Sequence, residues 1–227
     1  TFQDAIDMMK EYAIWDEAPA SIREHLLEGL AHPEMETPKK LTNTRAYIHS
    51  VADPRSTCVA AANKAKELGY TPYVLSTALE GDACNLGIFF SGIANEVTKT
   101  GRPFAAPCAI ISAGETTVTI HGPCGAGGPN QETALGYPLK LHAQSPTVCL
   151  SMDSDGTDGP SDIAGGISDN QTFERACELG LNLWEMLGRH DSSTALLQLN
   201  DALITGHTGT NIMNFRVVVI EKKENES

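Results

Sequence analysis

Four loops of this 227-residue chain combine glycine with small hydroxyl, amide or carboxylate side chains. Glycine lets backbone amides come close to a ligand, and the short polar side chains add directed donors and acceptors. The most telling loop is acidic. Asp153, Asp155, Asp158 and Asp162 fall within ten residues, after an apolar segment and beside Gly156, Gly159 and Pro160. Carboxylates crowded in this way repel one another unless a cation or several donors offset the charge. At the C-terminal end of a strand they suit Mg²⁺, or the hydroxyls of a sugar-like polyol. A calcium loop is excluded, because the glycine position and the closing bidentate Glu are missing.

The other three loops suit anions or positioning. Thr205-Gly206-His207-Thr208-Gly209-Thr210-Asn211 offers hydroxyl and amide donors without net charge, as an oxyanion or phosphate cradle would. Gly125-Ala126-Gly127-Gly128-Pro129-Asn130-Gln131-Glu132 runs from a glycine stretch into a helix start, where free N–H groups and the macrodipole favour an anion. It is no P-loop, since no Gly-Lys-Ser/Thr follows, and it lacks the strand that a dinucleotide fingerprint needs. Ser112-Ala113-Gly114-Glu115-Thr116-Thr117 places Glu115 in a turn between two expected strands. His121 and Cys124 are close in sequence, but no oriented third group supports a thiol nucleophile, and His207 reads as a surface residue.

The elements that must position these loops alternate between helix and strand. Helices are expected at 1–13 and from Pro19 to Ala31, with Ile22, Leu26, Leu27 and Leu30 as an apolar stripe, and a loop at His32–Leu41. A strand at Arg45–Val51, a helix at Arg55–Leu68 stopped by Gly69, and a strand at Thr71–Ser76 would form a β-α-β unit. A helix over Gly81–Lys99 then reaches the Gly101-Arg102-Pro103 break. Strands follow at Ala109–Ser112 and Thr116–His121, a helix from Asn130 to about His142, and a strand at Thr147–Met152. Short helices fill 171–199, and a strand at Phe215–Ile220 precedes a charged tail. The pattern is α/β, a mixed sheet flanked by helices, with a boundary near residue 103. That gives domains over 1–103 and 104–221 and a tail over 222–227.

Composition narrows the function classes. Sixteen Lys and Arg against 29 Asp and Glu give a net charge of −13, with no basic stripe, so neither nucleic acid nor an anionic membrane is an expected partner. The apolar runs are far too short to span a bilayer. Six dispersed cysteines, with no Cys-x-x-Cys pair, read as reduced thiols of a cytoplasmic protein. The chain opens Thr1-Phe2-Gln3 without an initiator Met, which points to processing or to a piece of a longer protein.

In this order the four loops resemble those of the class II glycerate kinases, the glycerate 2-kinase family, whose C-terminal half is called the MOFRL domain. The matching stretches are Ser112–Val118, Gly127–Glu132, Asp155–Pro160 and Thr208–Asn211, with a weaker match at Thr1–Ala5 and Ala65–Tyr70. The resemblance implies a MOFRL-type C-terminal domain, preceded here by the later part of the N-terminal domain. It implies ATP- and Mg²⁺-dependent phosphorylation of D-glycerate at its 2-hydroxyl. Asp155 and Asp158 would hold the metal or the substrate hydroxyls. Thr208, Gly209, Thr210 and Asn211 would cradle phosphate or the glycerate carboxylate, and Glu115, Asn130 and Glu132 would bind and orient substrate or phosphate from facing loops. The missing N-terminal half of the same enzyme would be a partner, and self-association of the chain stays open. Where the family usually has Arg in Gly-Gly-Arg-Asn-Gln-Glu, this chain has Pro129. Two other readings stand beside the kinase: a non-catalytic, partner-dependent ligand-binding domain that has lost the Arg, and a hydroxypyruvate reductase, a name older usage attached to the same family.

Overall fold

In this computed structural model, which describes residues 1–36, 39–40 and 45–223, contacts divide the chain into Thr1–His49 and Ser50–Ser227. Part of the expected 32–41 loop and most of the charged tail fall outside the described residues. The first unit holds α1 (Phe2–Glu11) and α2 (Ala20–Ala31). Thr1 caps α1, its hydroxyl accepting the Asp4 N–H at 3.0 Å. Gly29 lets α2 approach the Phe2 ring, which a Cβ there would meet at 2.4 Å.

The second unit contains α3 (Pro54–Glu67), β1 (Thr71–Asp82), α4 (Ala83–Thr100), β2 (Cys108–Thr117), α5 (Pro129–Gly136), β3 (Thr147–Asp153) and β4 (Gly165–Asp169). It continues through α6 (Thr172–Glu178), α7 (Leu183–Gly188), α8 (Ser192–Leu199), β5 (Ala202–Leu203) and β6 (Asn214–Ile220). The six strands form one mixed sheet in the order β1-β2-β6-β3-β4-β5. Among the described residues only β1 and β2 pair in parallel, with α4 as their crossover; the other neighbours are antiparallel. The α/β mixed sheet flanked by helices is therefore present.

The alternation of β6 sorts the two faces. Asn214, Arg216, Val218 and Ile220 are buried. Val218 and Ile220 meet Phe90, Ala94 and Val97 of α4 and Tyr137 from the 3-10 turn that follows α5. On the opposite face Phe215 and Val217 pack with Ile111, Ala113 and Cys58 of α3. Burial of such side chains contributes about 1.5–3 kcal/mol each.

Several local expectations are corrected. Arg45–Val51 is not a strand: it has no regular structure, and Tyr47, Ile48 and Val51 are 82%, 93% and 98% exposed. A strand needs a ladder, and the parallel partner of β1 is β2. The expected turn at 112–115 is the middle of β2, because Ser112, Ala113 and Gly114 pair with Arg216, Phe215 and Asn214. Gly114 is required there, at φ 139°, since a Cβ would lie 2.2 Å from the Leu79 nitrogen. The helix expected to reach His142 ends at Gly136 and tightens into a 3-10 turn, Tyr137–Lys140, where Pro138 cannot continue the α pattern. Strands β4 and β5 had no counterpart in the sequence reading. Two glycines open β4, and a Cβ on Gly165 would lie 2.0 Å from the Ser151 carbonyl.

Helix α5, which carries the second motif, is held against α4 by another close approach. A Cβ on Gly87 would lie 2.2 Å from the Thr133 carbonyl oxygen, and one on Gly136 would lie 2.4 Å from that of Cys84. The Gly87→Ala variant is expected to lose about 1–3 kcal/mol of stability through overpacking. A denaturant midpoint equal to that of the parent would contradict this packing account.

Candidate functional site

Asp158 is only 3% exposed, and both of its carboxylate oxygens accept hydrogen bonds. Oδ1 accepts from Asn130 N at 3.1 Å and Asn130 Nδ2 at 3.0 Å; Oδ2 accepts from Gln131 N at 2.9 Å and Gln131 Nε2 at 3.3 Å. Helix α5 has Gly128 at its N-cap and no side-chain cap of its own, so a carboxylate from the acidic loop does that work. The anion at the start of α5 is thus part of the protein. The glycines of this motif serve the same closeness. A Cβ on Gly128 would lie 2.3 Å from Asp158 Oδ2, and one on Gly125 or Gly127 would strike Asp191 or Ser192.

Asn130 extends the contact into the sheet. Its Nδ2 also donates to Asn214 Oδ1 at 2.8 Å, and its Oδ1 accepts from Ser151 Oγ at 2.7 Å. Gln131 Oε1 accepts from Ser193 Oγ at 2.6 Å. Asn214 Nδ2 is buried without a partner among the described residues. At this end of the sheet Asn214 lies between Gly114 and Asp153, the C-terminal parts of β2 and β3. Glu115 follows Gly114 and is exposed. Two residues along β6, Arg216 is wholly buried; its guanidinium donates to Thr116 Oγ1 at 2.6 Å and the Gly114 carbonyl at 3.4 Å, and its Nε has no partner among the described residues. Burial without a carboxylate partner pushes its pKa down to about 10.

Asp155 lies in the half-buried part of the same acidic loop. Its Oδ1 accepts from Thr157 N and Oγ1 at 2.9 and 3.0 Å, and its Oδ2 accepts from Asn211 Nδ2 at 3.0 Å. Thr208 donates from its backbone to the Asp155 carbonyl at 3.0 Å and from its hydroxyl to the Ser154 carbonyl at 2.6 Å. The exposed Thr208–Asn211 loop is therefore stapled to the acidic loop. The bonds from Thr157 and Asn211 lower the Asp155 pKa, the Thr157 backbone N–H most strongly.

Three motif loops also wall a cavity of about 250 Å³, with Val118, Ile120, Pro129 and Pro160 in its lining. Glu132 and His190 line it, with Nδ1 of His190 2.9 Å from Glu132 Oε1. Burial raises the Glu132 pKa, opposed by the hydrogen bond from His190.

The structure brings Asn130, Asp158 and Gln131 into one network, and Asp155, Thr208 and Asn211 into another that shares its loop. Glu115 stands at the adjoining strand end, and Glu132 turns away into the cavity. Among the described residues no three His, Cys, Asp or Glu converge on a metal position. Metal binding by Asp158 would require its four donors to be given up. Asp155 offers hard oxygens at a half-exposed place, and Mg²⁺ commonly takes one or two carboxylates, completing its shell with phosphate oxygens and water. The sequence reading missed Asn214, Arg216 and His190. The first two had a signal, polar residues at the alternate positions that carry Val218 and Ile220; His190 had none.

Burial raises the pKa of Asp158, Glu132, Asp153 and Glu115. A carboxyl whose folded pKa is raised keeps a proton that the unfolded chain releases. Its stabilising effect is complete below the ordinary carboxylate range and is lost as pH rises through the raised value. The thermal midpoint is expected to fall as pH rises from the ordinary carboxylate range through the raised values, and a rise over that span would contradict the assignment. Asp158→Asn, which puts an amide against two backbone donors, is expected to cost about 1–3 kcal/mol in denaturant titration.

Residues 108–214 match the MOFRL family. The chain is 39% identical over 224 residues to the glycerate 2-kinase of Pyrococcus horikoshii, covering 98% of this chain and 50% of that protein. It is 35% identical over 221 residues to a putative hydroxypyruvate reductase of Agrobacterium vitis, covering 97% and 49%. The crystal structure of the Thermotoga maritima glycerate kinase superposes with a TM-score of 0.76 at 35% identity, over 97% of this chain and 50% of that one. The chain thus spans about half the length of the curated relatives it matches. With four motif loops gathered at one end of the sheet and these likenesses along nearly its whole length, the chain belongs to the glycerate 2-kinase family, and its residues 108–214 are a MOFRL region.

Proposed function

We propose that the chain contributes to a glycerate 2-kinase that transfers phosphate from ATP, with Mg²⁺, to the 2-hydroxyl of D-glycerate, giving 2-phosphoglycerate. The observation that carries this reading is the match to proteins named glycerate 2-kinase along 97–98% of the chain. The missing half of those relatives would be supplied by a segment resembling their N-terminal portion. We keep the division near residue 103, supported by a family match that begins at residue 108, although β1 before it shares a sheet with β2.

Phosphoryl transfer needs positioning and charge neutralisation more than covalent chemistry. Asp155 would hold Mg²⁺, which would neutralise charge on the transferred group. In the loop of Thr208, Gly209, Thr210 and Asn211 beside it, the donors that do not staple the loop to the acidic loop would take phosphate or the glycerate carboxylate. Glu115 orients from the neighbouring strand end, while Asp158 and Asn130 fix the start of α5. Six free thiols support a cytoplasmic setting, and no helix among the described residues is long and apolar enough to cross a membrane.

A specific observation favours a second reading, a ligand-binding domain without catalysis. Position 129 is proline, at the first turn of α5, where the family usually has arginine. A hydroxypyruvate reductase finds less support, since the Gly125–Gly128 run follows coil and not a strand.

In the intact gene product, Asp155→Asn is expected to abolish 2-phosphoglycerate formation, followed by ³¹P NMR, while leaving stability within about 0.5 kcal/mol. An unchanged rate would remove Asp155 from the mechanism. Pro129→Arg in the same protein separates the two readings: a parent without transferase activity that gains it identifies a binding domain that had lost catalysis.

A further inference from the structure

His190 belongs to none of the four motifs, yet it faces the cavity that three of them wall. Its backbone sits at φ 55°, the left-handed region, where a residue other than glycine is strained by about 1–3 kcal/mol. Flanking bonds hold it there: Gly125 N donates to the Arg189 carbonyl at 2.8 Å, and Asp191 N to that of Met186 at 2.9 Å. The side chain of Glu132 is 4% exposed and that of His190 22%. With Glu132 accepting from Nδ1, the imidazole is fixed in the tautomer that leaves Nε2 as an acceptor, and Nε2 has no protein partner among the described residues. A buried carboxylate orienting a histidine in the wall of a small cavity is the arrangement that prepares imidazole to accept a hydroxyl proton.

We propose that this cavity receives the hydroxyl of the acceptor, a small hydroxy acid, and that His190 is the base that takes its proton, an inference that rests on the phosphoryl-transfer reading above. In the step, the acceptor oxygen forms a bond to the terminal phosphorus of a nucleoside triphosphate. The bond from that phosphorus to the bridging oxygen breaks, its electron pair leaves with the diphosphate, and the hydroxyl proton passes to Nε2. The Glu132 carboxyl in the lining disfavours an acid group there, so the hydroxyl end enters. Apolar walls from Val118, Ile120 and the two prolines exclude water that would compete for the phosphoryl group.

Two measurements test this. In the intact gene product, His190→Gly empties the ring position while its backbone takes φ 55° without strain. The expected result is a fall in kcat of about 100-fold or more, a KM for D-glycerate nearly unchanged, and partial restoration by added imidazole. A variant with the parent's kcat overturns the role of His190 while leaving the kinase reading intact. A folded variant whose lost activity imidazole does not restore overturns the base role as well. A parent protein that transfers no phosphate to D-glycerate overturns the kinase reading, and the base role with it. The second measurement uses this chain alone. Cys124 lines the cavity and is exposed, while Cys177 is exposed elsewhere. D-glycerate is expected to slow iodoacetamide alkylation of Cys124 and not of Cys177, followed by peptide mass spectrometry. Equal rates at Cys124 with and without saturating D-glycerate overturn the cavity as the acceptor site.

Discussion

The arrangement of the motif loops depends on one buried carboxylate. Asp158 reaches across from the acidic loop to close the N-terminus of α5, which has no side-chain cap of its own. Oriented N–H groups and the positive end of the helix, with no counter-ion among the described residues, oppose the burial that raises its pKa. Asn130 passes the same constraint on to Ser151 and Asn214, and so to the ends of β3 and β6. Gln131 passes it to Ser193 at the start of α8. Four segments far apart in sequence are thereby fixed by one network in which each member depends on the others' geometry.

Beside this network lies a cation of the opposite kind. Arg216 is buried on β6 with only a hydroxyl and a carbonyl as partners, and no carboxylate within an ion-pair distance among the described residues. Glu115, Asp158 and Asp153 favour its charge from farther away. The end of the sheet therefore combines a desolvated positive charge with carboxylates reluctant to ionise, an electrostatic tension that an incoming ligand charge can relieve. Such tension is common where groups are held for chemistry and not for stability alone.

The sequence disclosed composition, helices and the order of the motif loops, because these depend on local pattern. Alternating helix and strand, the Asp153–Asp162 cluster and the Thr208–Asn211 loop were all visible. What stayed hidden was set by distant partners. The stretch Arg45–Val51 has strand-like residues but no ladder, whereas Gly165–Asp169 has glycines at its start and lies between two strands. The glycines at 125–128 suggested a cradle for a ligand, but the neighbours they admit are Asp158, Asp191 and Ser192. His190 could not be paired with Glu132 from spacing alone, since 58 residues separate them.

The crossing of α4 and α5 has a consequence for how such a chain can change over time. Gly87 sits under the Thr133 carbonyl and Gly136 under that of Cys84, so backbone meets backbone on both sides. No flexible side chain lies between them to absorb a substitution, and neither glycine can be replaced unless the other helix shifts in the same step. Sequence drift is free on the outer face of α4, where Phe89 and Asn85 are not buried, and nearly closed along this seam. Any divergence of the end that carries the motif loops must therefore be written in the loops, with the two helices inherited as a single piece.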